Sequence, residues 1–285
     1  MAQGARAQWG PHAATREDEL QGLDYDRLCR DPPRRDWMVE GCFLKGTVAL
    51  VAGDGGIGKS LLMQQLATSA VLGRPWLGMS VQPGRALYLG CEDDGDELHR
   101  RQWAINRSLG VDMPDVLDAG LDLIPRVGCD NVLIRLARPE WKMVRTGLMD
   151  KLVVRCRRTG VQYVIVDTAT QTFAGNQNDE NQVVAYVSEF RRLAVALQGV
   201  VIFTKHPSMS GRALGTGESG NVAWSNSVRA RLYLHQHKAL GLVLDGMKSN
   251  YSRKLEPVPL RWAHGVFERI EAPPVRDWSE PGGYA

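Results

Sequence analysis

Eight residues, Gly53-Asp54-Gly55-Gly56-Ile57-Gly58-Lys59-Ser60, constrain this chain more than any other stretch. They follow the apolar run Thr47–Ala52, which reads as a buried strand. They open a helix predicted over Lys59–Leu72 and stopped by Gly73 and Pro75. In that setting the glycines let the backbone wrap closely around phosphate, with successive N–H groups pointing inward. The helix start adds its positive end. Lys59 is suited to neutralise β- and γ-phosphates, and the Ser60 hydroxyl to ligate Mg2+. All eight residues are therefore candidates for binding a nucleoside triphosphate, read as ATP.

A strand that feeds such a loop belongs in a parallel sheet. Strands are predicted at Arg85–Cys91, Tyr163–Val166 and Val200–Thr204, with a helix at Asp96–Leu109. Strands alternating with helices imply an α/β fold with a mostly parallel central sheet flanked by helices. Leu232–Leu234, Leu240–Leu244, Val258–Trp262 and Val266–Ile270 alternate with turn signals and read as antiparallel strands near the C-terminus. The expected organisation is a flexible tail over 1–20, an arm over 21–46 anchored by Trp37, Val39, Phe43 and Leu44, an ATPase domain over 47–272, and a tail over 273–285.

Composition narrows the class. At 44% hydrophobic and 24% charged, the chain can bury a sizeable core. No apolar run approaches the ~18–20 residues of a membrane span, and no apolar signal segment opens the chain, so no membrane partner is expected. Five cysteines without a C-x-x-C pair fit a reducing, cytoplasmic setting. The net charge of +3 hides segregation: residues 92–122 hold nine acidic and three basic side chains, and residues 126–158 and 205–261 each hold the reverse. Basic segments suit a polyanionic partner but equally suit solvated helix faces.

Three further positions fit phosphoryl chemistry. Asp167 ends the strand VQYVIVD, where a carboxylate can hold Mg2+ through water beside Ser60; Asp167 and Thr168 are also plausible helix caps. Glu92 follows RALYLGC and should emerge at the carboxyl edge of the sheet, where sites in open α/β folds lie. It is the first choice for the base that activates water, with Asp93 second. His206, after VVIFTK, can sense a γ-phosphate if its strand neighbours that of Asp167. His235 and His237 have chelating spacing but lack a third ligand, and a hairpin turn is the simpler reading.

Read together, DWMVEGCFLKGTVALVAGDGGIGKS, ALYLGCEDD, VQYVIVDT, VVIFTKH, WSNSVRARLYL and GMKSNY resemble the RecA-like hexameric ATPases of the plasmid RepA replicative-helicase type. The resemblance spans about residues 36–251. It implies a RecA-like domain, a homo-oligomeric ring with ATP between subunits, and Glu92 as base. It also implies that Arg229 reaches a neighbour's γ-phosphate with Lys248 close by, and Arg231 is the competing arginine. The family's channel loops correspond to the stretches after Asp167 and after His206, with single-stranded DNA as partner and Lys205 and Arg212 as the candidate DNA contacts. The second loop has no aromatic residue before Trp224, so base stacking is not indicated there. Two functional classes follow: a DNA-acting motor or helicase, and an ATP-dependent assembly switch that recruits partners without unwinding. A small-molecule kinase fits less well, because no arginine-rich lid follows.

Overall fold

The structure is a computed structural model and describes residues 22–218 and 222–271. After a single helical turn, α1 (Tyr25–Leu28), the short strands β1 (Trp37–Val39) and β2 (Phe43–Leu44) pair antiparallel. Their Met38, Val39 and Phe43 are buried, and the Tyr163 hydroxyl donates to the Met38 carbonyl at 2.7 Å. Burying these apolar side chains fixes the segment against the main core.

The chain then alternates strand and helix. Strand β3 (Thr47–Gly53) leads through the glycine-rich loop into α2 (Lys59–Leu72), and β4 (Arg85–Gly90) leads into α3 (Gly95–Leu109). A short helix, α4 (Met113–Asp118), precedes β5 (Leu121–Pro125). An antiparallel hairpin follows, β6 (Ile134–Ala137) and β7 (Lys142–Arg145), and then α5 (Gly147–Thr159) and β8 (Val161–Asp167). One turn, α6 (Ala169–Thr172), and the two-residue β9 (Phe173–Ala174) join the hairpin's sheet before α7 (Glu180–Ala196) and β10 (Val200–Lys205). Two short helices, α8 (Met209–Ala213) and α9 (Val222–Ser227), lead to the closing strands β11 (Ala230–His237), β12 (Gly241–Ser249), β13 (Val258–Ala263) and β14 (Val266–Arg269).

The main sheet has nine strands in the order β14-β13-β12-β11-β3-β10-β8-β4-β5. From β11 to β5 all neighbours run parallel, and β11 through β14 are antiparallel. This matches the predicted α/β architecture. Strands β3, β8 and β10 are apolar almost throughout because the sheet is covered on both faces. Ala49, Val51, Ile165 and Ile202 face α2 through Leu62, Met63 and Leu66. Leu50, Val164, Val166 and Phe203 face α7 through Tyr186 and Phe190. Strand β10 lies between β3 and β8, with Ile202 opposite both Ala49 and Ile165. The ends of three parallel strands, bearing the glycine-rich loop, Asp167 and His206, therefore meet at one edge. Among the described residues, no helix is long and apolar enough to cross a membrane.

Candidate nucleotide-binding site

The glycine-rich loop turns between β3 and α2 in the predicted place. Gly58 has φ of 100° and lies against the Phe267 ring, so a side chain there would be strained and would also clash. Lys59 is 5% exposed, and its Nζ donates to the carbonyls of Gly53 and Asp54, each at 2.8 Å. Burial pulls its ammonium below the usual lysine range, while Asp167, Glu92 and Asp54 pull it back up. The three carboxylates thus offset part of the cost of burying the charge. The His206 Nδ1 lies 3.4 Å from the Lys59 Nζ, and as an acceptor it requires the tautomer protonated at Nε2.

Asp167 is 1% exposed at the end of β8. Its carboxylate accepts from the hydroxyls of Tyr88 on β4 and Thr204 on β10, so the strands on either side fix its orientation. The Ser60 hydroxyl acts on the same Tyr88 phenol, whose proton burial and Asp167 hold well above the usual tyrosine range. Tyr88 and Thr204 were not singled out in the sequence. This donor set, a hydroxyl at a helix start and a fixed buried carboxylate, fits a hard divalent cation that keeps several waters.

The acidic trio after β4 divides its work. Asp94 caps α3 by accepting from the Glu97 N–H at 2.8 Å, and Asp93 pairs with Arg101 at 2.6 Å. Glu92 is exposed on the cleft wall facing Lys59, and among the described residues its carboxylate has only a long 3.4 Å hydrogen bond, from the Thr168 hydroxyl. Of the three it has the freest carboxylate toward the phosphate loop. The cleft has a volume of about 520 Å³ and is lined by Gly56 to Leu61, Glu92, His206 and residues of the C-terminal strands.

Of the two expected DNA contacts, one is enclosed and the other exposed. Lys205 is corrected: it is 4% exposed, donates to Gln177 Oε1 at 2.7 Å and lies 4.9 Å from the Trp224 ring centre. Burial brings its ammonium down to about 8, and a cation so enclosed offers nothing to a phosphate backbone. Arg212 is exposed, but its Nε lies 2.7 Å from Asp54 Oδ1, which ties its loop to the phosphate loop. The His235/His237 pair is a hairpin feature. His237 Nδ1 accepts from the N–H groups of Ala239 and Leu240, each at 3.2 Å, and no cluster of three or more metal-ligating side chains occurs among the described residues.

Arg229 and Lys248 stand at the other end of the sheet. Ala230 is opposite Ala49 and Leu234 opposite Gly53, so Arg229 lies about 16 Å from the phosphate loop at ~3.3 Å per residue. Its backbone N–H donates to the Val48 carbonyl. Lys248 donates to the carbonyls of Ser225 at 2.7 Å and Val228 at 2.9 Å, closing the end of α9. Arg191 donates to the Ser227 carbonyl, and Arg231, 6% exposed, donates to that of Thr216. Burial and then mutual repulsion pull Lys248 and Arg191 below their usual ranges, with Arg229 the leading cation acting on both. Arg229 is half-buried and has no hydrogen-bond or ion-pair partner for its guanidinium among the described residues.

Fold, phosphate loop and strand-end carboxylates thus agree on one site class. A family model described as an AAA domain matches residues 13–212, well over half of the chain, and the chain belongs to that family of P-loop ATPases.

Proposed function

We propose that this chain hydrolyses MgATP as a ring-forming motor acting on DNA, of the plasmid RepA helicase type, with each site completed by a neighbour's Arg229. The observation that carries this reading is the position of Arg229, beyond reach of its own phosphate loop yet with a guanidinium that has no partner among the described residues. A guanidinium left so in a cluster of cations is suited to an anionic partner from another subunit. The ring, a hexamer by resemblance, supplies such a partner.

The proposed roles draw on this geometry. The backbone from Gly53 to Ser60 cradles the phosphates, and Lys59 supplies the cation inside the loop. Ser60 and Asp167 would hold Mg2+, which would supply positive charge beside the phosphates. Glu92 orients a water in line and takes its proton, and His206 reports the γ-phosphate through its contact with Lys59. The single-stranded DNA partner is proposed to meet the loop that bears Arg212. An ATPase assay with and without single-stranded DNA, beside negative-stain images with and without ATP, tests this reading. Rings and a DNA-stimulated rate are expected; single particles and a rate indifferent to saturating DNA would count against it.

One observation favours the second reading, an ATP-dependent assembly switch. In the loop after His206, Arg212 is paired with Asp54, and Lys205 at the base of that loop is buried. Little charge is left there to grip a strand. Under this reading rings form with ATP, but DNA leaves the rate unchanged.

A further inference from the structure

The cleft has a second wall that phosphate chemistry does not use. Past Leu61 its lining continues through Gln236, Leu242, Trp262 and Phe267 of the C-terminal strands. Trp262 and Phe267 are directly opposite each other on β13 and β14, so both side chains leave the same face of the sheet. Phe267 is locked in place. Its ring lies against Gly58, and its backbone is clamped to α2 at two points: Gln65 Nε2 donates to the Phe267 carbonyl, and the Phe267 N–H donates to Gln65 Oε1, each at 2.9 Å. That clamp fixes the β13–β14 hairpin relative to the phosphate loop. Trp262 extends from the clamped hairpin into the cleft and is 65% exposed. An indole carried on a clamped hairpin beside a phosphate cradle, with most of its surface still in water, is a ready stacking platform.

We infer that Trp262 stacks on the nucleobase of a nucleotide whose phosphates lie on the glycine-rich loop, with Leu242 as the apolar floor. This rests on the nucleotide reading of the cleft and assigns the end of the ligand that the phosphate loop does not touch. Stacking accepts any base, because every base has a π-face. Discrimination at the base edge falls to Gln236, the one side-chain amide lining the cleft, which can both donate and accept.

Titration calorimetry on the full chain compares MgATP with magnesium tripolyphosphate, which has the phosphates but no base. Trp262→Ala should weaken ATP binding by roughly 5- to 150-fold, the size of a lost base–aromatic stack. It should leave tripolyphosphate binding unchanged, and Trp262→Phe should recover most of the loss. Unchanged ATP affinity in Trp262→Ala would overturn the inference, as would a parallel fall in ATP and tripolyphosphate affinity or a failure of Trp262→Phe to recover. If wild-type protein binds tripolyphosphate but gains nothing from the base of ATP, the nucleotide cradle stands and the stacking role falls. If it binds neither, both readings fall.

Discussion

The two edges of the central sheet handle negative charge in different ways. At the carboxyl edge, β3, β8 and β10 end side by side, and the phosphate loop with Lys59, Ser60 and Glu92 lines one cleft, with Asp167 buried at the end of β8. At the amino edge of β11, Arg191, Arg229, Arg231 and Lys248 gather without any glycine-rich loop. Among the described residues, each cation there but Arg229 is spent on a backbone carbonyl. The first edge can bind a phosphate chain, but its arginines, Arg101 and Arg212, are paired with Asp93 and Asp54; the second offers an arginine without such a pair among the described residues, but no cradle. A rigid sheet holds them about 16 Å apart along the strands, so no side-chain motion unites them within one chain. On the proposed reading, a complete site is assembled from two chains.

The largest expected effect is at the amino edge. Arg229→Ala should leave ATP affinity nearly intact and lower turnover by about 10³-fold or more, as for other arginine fingers. Lys248→Ala should instead lower the melting temperature, because three carbonyls at the end of α9 lose their donor. If Arg229→Ala affects stability and Lys248→Ala turnover, the assignment of roles at this edge is reversed.

At the carboxyl edge, Glu92→Gln should retain ATP binding and lose about 10²- to 10⁴-fold in turnover, the usual worth of a positioned base. Lys59→Ala should lose both binding and turnover. The analogous Asp93→Asn should mainly cost stability, since Asp93 is committed to Arg101. A larger turnover loss in Asp93→Asn than in Glu92→Gln would exchange the two carboxylates.

Lys205 separates a structural cation from a ligand-facing one. With its pKa near 8 when folded against 10.5 when exposed, it is charged in both states below pH 8, where the folded protein bears the full cost of burying it. Between pH 8 and 10.5 the unfolded chain holds a proton that the folded chain has released, so stability rises with pH across that window. Relative to Lys205→Met, wild type should gain up to about 3 kcal/mol there. Denaturant titrations of both proteins at pH 7.5 and 10 check this, and a flat difference would mean that Lys205 is not enclosed.

The smallest effect concerns Arg212, whose pair with Asp54 is half in solvent. Arg212→Ala should cost no more than about 1 kcal/mol of stability. If Arg212 also meets DNA, the slope of log K against log salt should shrink by about one. An unchanged slope would leave it as a tie between loops and favour the switch.

What was legible in the sequence tracks how local the signal is. The helix at Lys59–Leu72 was read with the boundaries found, because its start and stop lie in the adjacent glycines. The strands bearing Glu92, Asp167 and His206 were found from their apolar runs. Tyr88 and Thr204 were not, although they hold Asp167, because inside RALYLGC and VVIFT they look like ordinary strand residues. Their hydroxyls matter only through the register of β4, β8 and β10, which no stretch of sequence contains. Strand β5 was missed because an edge strand tolerates Asp122 and Pro125 and so breaks the apolar pattern. Lys205 was misread for a related reason. The resemblance placed it with a channel loop after the strand, while the strand carries it inward beside Trp224.

The claim that two chains build one site is tested most directly by mixing subunits. Arg229→Ala and Glu92→Gln proteins should each be inactive alone. A mixed assembly contains interfaces where an intact Glu92 faces an intact Arg229, so combining the two should restore part of the ATPase rate, with fluorescence energy transfer between labelled subunits verifying exchange. Exchange without any recovered activity would mean that every site carries a defect of its own, and it would contradict the assignment of Arg229 to a neighbour's phosphate.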